Sequence, residues 1–273
     1  MTEGNGATLD SPVLVERRGG ALWLTLNRSQ RLNGLAPEMI DGLSAALDIA
    51  EIDTGIRVVV LTAQGSTFCA GADLKYLRML ADLPAAKTAE LQHQLLEAMG
   101  DLLNRMERLA QPVVAAVNGL ALAGGLELAL ACDFIIAARS ARFGDAHANY
   151  GLVPGGGGSV RLPRRVGPAT ARFLMYSGAT VPAEDLLHTD LIARVVEDDE
   201  LNSVVEELVS QLVAKSALGL QTMKRLVFDS LDASLADGLR MELDAAREHS
   251  LSADMAEGLA AFAAKRSPHF SGR

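Results

Sequence analysis

The sequence predicts an α/β domain that gives way to a helical C-terminal region. Three observations lead there. Short apolar runs of strand character alternate with segments of helical period as far as about residue 140. From residue 183 onward the period is almost wholly helical. Hydrophobic residues make up 49% of the 273, enough for a sizeable core, and only 4% are aromatic, so Ala, Leu and Val must do the packing.

The elements follow in order. Residues 1–11 read as a flexible leader. In "PVLVERRGGALWLTLNR" two β-rich runs flank Gly19-Gly20, the signature of a hairpin. "APEMIDGLSAALDIAEID" has helical period with Pro37 in its first turn. "RVVVLTA" is a fully apolar strand of the kind buried on both faces. "AAKTAELQHQLLEAMGDLLNRMERLA" reads as a long amphipathic helix, "PVVAAVNG" as a second buried strand, "GGLELALACD" as a helix opened by glycines and "FIIAA" as a strand. The stretch from "AEDLLHTDLIARVVEDDE" through "LNSVVEELVSQLVAK", then "LGLQTMKRLVFDSL", "LADGLRMELDAAREHSL" and "DMAEGLAAFAAKR", reads as helix. This divides the chain into a core over 12–200 and a helical region over 201–273.

Charge narrows the function. Lys and Arg number 25 against 34 Asp and Glu, a net charge of −9. An acidic surface argues against general binding of nucleic acid or anionic membranes. Cys69 and Cys132 lie in apolar, Ala-rich surroundings and read as buried free thiols of a reducing compartment. No Cys/His cluster suggests a metal. "MTEGNGATLD" lacks the basic and apolar regions of a signal peptide, and no apolar run is long enough to span a bilayer, so a cytoplasmic location is expected.

Three glycine-marked turns follow the buried strands: "STFCAGADLK", "NGLALAGGLELALACD" and "GDAHANYGLVPGGGG". In α/β proteins ligands collect where strand ends meet helix starts. Two N–H groups from separate turns, aimed at one point, would make an oxyanion hole. Gly71, Gly124 and Gly125 would equally allow tight strand–helix packing, and spacing alone leaves both readings open.

Together, "FCAGADLK", "AAVNGLALAGGLELALACD" and "ARFGDAHANYGLVPGGGGSVRLPRRVG" resemble the crotonase (enoyl-CoA hydratase/isomerase) superfamily. "NRSQRLNGLAPEMIDGL" and "DMAEGLAAFAAKRSPHFSG" are similar to that family's first and last motifs, so the resemblance spans roughly residues 12–271. It implies repeated ββα units, a helical trimerisation region, a homotrimer or homohexamer, and an acyl-CoA substrate with no further cofactor. It places the oxyanion-hole N–H groups on Ala72 and Gly124, where they would hold a thioester oxygen as it gains enolate character. It places the CoA path along Arg31, Leu32, Ala70, Asp73, Leu74 and Lys75. Phe262 and Lys265 would reach the nucleotide end, often from a neighbouring subunit. Read without the resemblance, Arg31, Lys75 and Lys265 are solvated surface charges.

The family's hydratases use two glutamates to hold and activate a water and to protonate the α-carbon. The first matches Glu127, in the first turn of the helix expected at Gly124. The second matches His147, a departure from the pattern. An imidazole suits acid–base work at neutral pH, and Asp145, two residues earlier, could orient it or point elsewhere on the loop. The resemblance therefore implies an enoyl-CoA hydratase with Glu127 and His147 as its acid–base pair. The alternatives are an isomerase or other reaction of the same class, or a non-catalytic binder of CoA thioesters.

Overall fold

The computed structural model describes residues 11–272, so the leader expected over 1–11 lies outside the described residues up to residue 10. The chain opens with the hairpin β1 (Val13–Arg18) and β2 (Ala21–Leu26), paired antiparallel, with Gly19 at φ +58° in the turn. Four short strand–strand–helix passages follow from it. Helix α1 (Pro37–Ile52) closes the first, with Pro37 in its opening turn. The second runs β3 (Val58–Ala63), β4 (Thr67–Cys69), α2 (Leu74–Ala81) and α3 (Ala85–Arg108). The third runs β5 (Val113–Val117), β6 (Leu120–Leu122) and α4 (Gly124–Leu130). The fourth runs β7 (Phe134–Ala138), β8 (Arg142–Gly144) and α5 (Gly158–Val166).

Each later passage feeds two sheets. Its first strand joins a six-stranded sheet ordered β1-β2-β3-β5-β7-β10, and its second joins a four-stranded sheet ordered β4-β6-β8-β9. The strands β2, β3, β5, β7 and β10 are mutually parallel. Their apolar runs are buried, as expected for a parallel sheet covered on both faces. At the edge, β1 carries Glu16, Arg17 and Arg18, charges that discourage edge-to-edge pairing. On α3 the buried residues Leu95, Met99, Leu102, Leu103 and Met106 form one face at helical spacing.

The sequence reading misses the second sheet. "TFC", "LAL" and "RFG" are three residues each, too short for alternation to register, and they sit inside what reads as glycine-rich turns. It also overextends the helical region. After α6 (Pro168–Ser177), residues 183–200 are not α-helical: β9 (Val181–Pro182) pairs with β8, and β10 (Arg194–Val196) pairs with β7. The free edge of β7 takes up "RVV", and tertiary pairing overrides the local helical period. True helix resumes with α7 (Leu201–Val213), α8 (Ala217–Ser230), α9 (Leu235–His249) and α10 (Ala253–Ala263). The last three start on Ser216, Ser234 and Ser252. Each of these hydroxyls accepts the backbone N–H three residues on, a capping bond worth about 1 kcal/mol.

Candidate active site

The three glycine-marked turns meet. Gly71 stands so close to the α4 turn that a Cβ built on it would lie 2.9 Å from Cβ of Ala123 and 3.3 Å from N of Gly124. Ala123 in turn donates its N–H to the Gly144 carbonyl at 3.0 Å, which ties the α4 turn to the end of β8. Ala72 forms an isolated parallel bridge with Leu35, through Leu35 N–H to Gly71 O and Asp73 N–H to Leu35 O, both 2.8 Å. In such a bridge the central residue's own N–H points away from its partner, which leaves that of Ala72 free of Leu35. Gly124 is the first residue of α4, so its N–H has no acceptor within the helix. The residue before it, Ala123, is held at φ +48°, ψ −118°, a strained conformation for a side chain-bearing residue.

Glu127 is 2% exposed in the first turn of α4. Its Oε1 accepts N–H groups from Gly156, at 2.9 Å, and Gly158, at 2.7 Å. Burial pushes the Glu127 carboxyl up, and the Gly158 N–H, the charge of His147 and the Gly156 N–H only partly offset that. Gly156 is itself held. Arg161 donates to its carbonyl at 2.7 Å and forms a two-point ion pair with Glu107 of α3, at 2.8 and 2.7 Å. These amide donors were not among the residues expected from sequence. The signal was present in the run Gly155–Gly158 ahead of α5, since successive backbone N–H groups at a helix start form a cradle for a carboxylate.

His147 opens a 3-10 turn over His147–Tyr150, with its side chain 11% exposed. Its Nδ1 lies 3.1 Å from Oδ1 of Asp145, an ion-pair contact in which the ring N–H is not aligned with the oxygen. Asp145 is 1% exposed, and among the described residues its Oδ2 has no donor. Burial disfavours the imidazolium, but the Asp145 carboxylate and the Glu127 charge outweigh it and hold the His147 pKa above 6.5. Glu127 and His147 lie near enough for the charge of each to shift the other's proton equilibrium.

The other expected residues divide. Arg31, Leu32, Ala70, Asp73, Leu74 and Lys75 lie together around the β4–α2 connection. Ala70 N–H bonds Leu32 O at 3.0 Å, and Arg31 pairs with Asp73 at 3.2 Å. Leu32 and Leu74 are 53% and 62% exposed, an apolar lip on the turn, and Lys75 is exposed. The Asp73 side chain is committed to the protein. Its Oδ1 caps α2 through the Lys75 and Tyr76 N–H groups, and its Oδ2 takes Arg28 and Arg31. Burial raises its carboxyl, but the Tyr76 N–H, Arg31 and Arg28 pull it below the ordinary range. Phe262 and Lys265 are not brought to this cluster by polar contacts. Phe262 is 85% exposed, and the Lys265 N–H bonds back to Phe262 O at 3.2 Å. Cys69, at the end of β4, is fully buried against α4, and burial pushes its thiol up to about 12. Among the described residues no group of His, Cys, Asp and Glu is arranged to hold a metal ion, and no helix is long and apolar enough to cross a membrane.

Two sheets built from strand–strand–helix passages, with the buried Glu127 and His147 close to the glycine-marked turns that carry Ala72 and Gly124, define the class. The enoyl-CoA hydratase/isomerase family model matches residues 16–273, and the chain belongs to that family. It is 37% identical over 254 residues to the 1,2-epoxyphenylacetyl-CoA isomerase of Escherichia coli strain K12, covering 93% of this chain and 96% of that protein. It is 35% identical over 263 residues to the 2,3-dehydroadipyl-CoA hydratase of the same strain, covering 96% and 100%. Among solved structures it resembles an enoyl-CoA hydratase from Bacillus anthracis with a TM-score of 0.90, at 32% identity, over 96% of this chain and 100% of that one.

Proposed function

We propose that this protein hydrates a 2-enoyl-CoA to the 3-hydroxyacyl-CoA through a thioester enolate, with Glu127 and His147 as its acid–base pair. The observation that carries the reading is the buried Glu127 carboxylate, fixed by two amides beside His147. In the resting site Glu127 is the base and protonated His147 the acid. The N–H groups of Ala72 and Gly124 hold the thioester oxygen, and their hydrogen bonds strengthen as negative charge builds there. Glu127 takes a proton from water as its oxygen attacks the β-carbon, and His147 gives a proton to the α-carbon. The site resets when Glu127 returns its proton to His147. No cofactor is required beyond the CoA that the substrate carries. Arg31, Leu32, Ala70, Asp73, Leu74 and Lys75 border the CoA path, with Phe262 and Lys265 supplied across a subunit contact of a homotrimer or homohexamer. A cytoplasmic role in acyl-CoA breakdown fits this chemistry.

A second reading has one observation in its favour: Glu127 is the only glutamate at the two matched positions, and one carboxylate suffices to move a proton between carbons. The reaction would then be isomerisation of a 3-enoyl-CoA to the 2-enoyl-CoA. Turnover of crotonyl-CoA tests both. Glu127→Gln should lower hydration by about 10²–10⁴-fold, the range for a lost general acid–base group. Wild type that leaves crotonyl-CoA unhydrated but shifts a 3-enoyl-CoA would overturn hydration in favour of isomerisation.

A further inference from the structure

Asp145 is not one of the two matched catalytic positions, yet it is the most deeply buried charged group beside His147. Its side chain is 2% exposed, its Oδ1 stands 3.1 Å from Nδ1 of His147 in an ion-pair contact without aligned hydrogen-bond geometry, and among the described residues its Oδ2 has no donor. Leaving a carboxylate uncompensated in such a place is costly, so its presence needs a cation or a donor. The backbone is bent to supply one. Ala146, between the two residues, is held at φ +58°, in the left-handed region that residues with a Cβ rarely adopt. That turn brings the imidazole back against the carboxylate.

We infer that Asp145 is the positioning residue that lets a histidine work where this family's pattern has a glutamate: its carboxylate holds Nδ1 and leaves the Nε2–H of His147 to face the acyl group. The inference rests on the acid role given to His147 in the proposed reaction. A lone imidazole can carry its neutral-state proton on either nitrogen and can rotate; a carboxylate on one nitrogen fixes both. Two acidic groups act on the ring, Asp145 from β8's own extension and Glu127 from α4. The helix α6, packed on the His147 turn, carries Arg172 and Tyr176, and both are exposed to solvent. The proton count closes: His147 gives up one proton to the α-carbon, Glu127 gains one from water, and Glu127 returns it.

The test uses the full-length protein labelled with ¹⁵N-histidine, in wild type and Asp145→Asn, with His147→Gln assigning the His147 signal among five histidines. Wild-type His147 should titrate above 6.5 and carry its neutral-state proton on Nδ1. In Asp145→Asn the midpoint should fall and the Nδ1–H preference should be lost. In kinetics Asp145→Asn should lower kcat by about tenfold or more with little change in KM, and move the alkaline limb to lower pH. Asp145→Glu should restore part of that limb. An unchanged midpoint and tautomer in Asp145→Asn overturns the inference. If that variant fails to fold, a wild-type midpoint at or below 6.5 overturns it instead. The two proposals fail separately. Full hydration by His147→Gln would remove His147 from the reaction, while the ¹⁵N shifts would still report whether Asp145 governs the ring.

Discussion

Glu127 and His147 are both shifted upward from their ordinary values, with opposite effects on their charge. Burial raises the Glu127 carboxyl and so favours its protonated form, while at His147 burial works against the imidazolium but Asp145 and Glu127 outweigh it and favour the charged ring. The His147 shift also has a consequence for stability. A group whose folded-state pKa is raised adds stability that is fully present below its unfolded value of 6.5 and is lost as pH rises through the folded value. Urea unfolding of wild type and His147→Gln should therefore differ more at pH 6 than at pH 9. A difference that grows with pH would contradict the raised value. At this scale the sequence was informative about identity and silent about circumstance. The resemblance to the family singled out both residues. The run Gly155–Gly158 marked a cradle of amides, but not that it grips one oxygen of Glu127, because hydrogen bonds across 29 and 31 residues do not name their partner locally.

At the scale of elements, the start of α5 is a clamp. The glycine run lets the backbone come within hydrogen-bond reach of Glu127, and Arg161 braces the run against Glu107 of α3. A Cβ added at Gly156 would lie 2.7 Å from Cε of Met99 and 2.8 Å from Oε2 of Glu127. Gly156→Ala should thus push the carboxylate aside and lower kcat by about 10²-fold, the cost of a misplacement near 1 Å. Melting and circular dichroism should show the fold retained, and unchanged kcat would show that the carboxylate tolerates the shift. Long elements were legible from sequence: α3, and the buried strands β3, β5 and β7, stand where period and apolarity put them. The strands of the second sheet were not, nor was β10. Their pairing partners lie far along the chain, and three residues hold too little pattern to announce a strand.

At the scale of the molecule, the C-terminal helices have apolar faces that the described residues do not cover. On α8, Met223 and Val227 are 55% and 66% exposed, and on α9 Leu235, Leu239 and Leu243 are 81%, 58% and 69% exposed at a spacing of four. Spacing of four makes one continuous stripe on each helix. Stripes of this kind mark interaction surfaces, and the homotrimer or homohexamer proposed above would seat a second copy of the chain on them. Leu239→Glu should yield a smaller species than wild type by light scattering; equal masses would move the subunit contact elsewhere.

Cys69 turns the geometry of the site into a clock. Its thiol sits in the seam between β4, which leads into the turn that bears Ala72, and α4, which opens on Gly124, and both its pKa of about 12 and its burial protect it from reagents. It can be labelled only when the seam parts, so the labelling rate in native buffer measures how often the two halves of the candidate oxyanion hole separate. A bound acyl-CoA that bridges them should slow that rate in proportion to its occupancy. A rate that ignores the ligand would mean that the seam opens without disturbing the site.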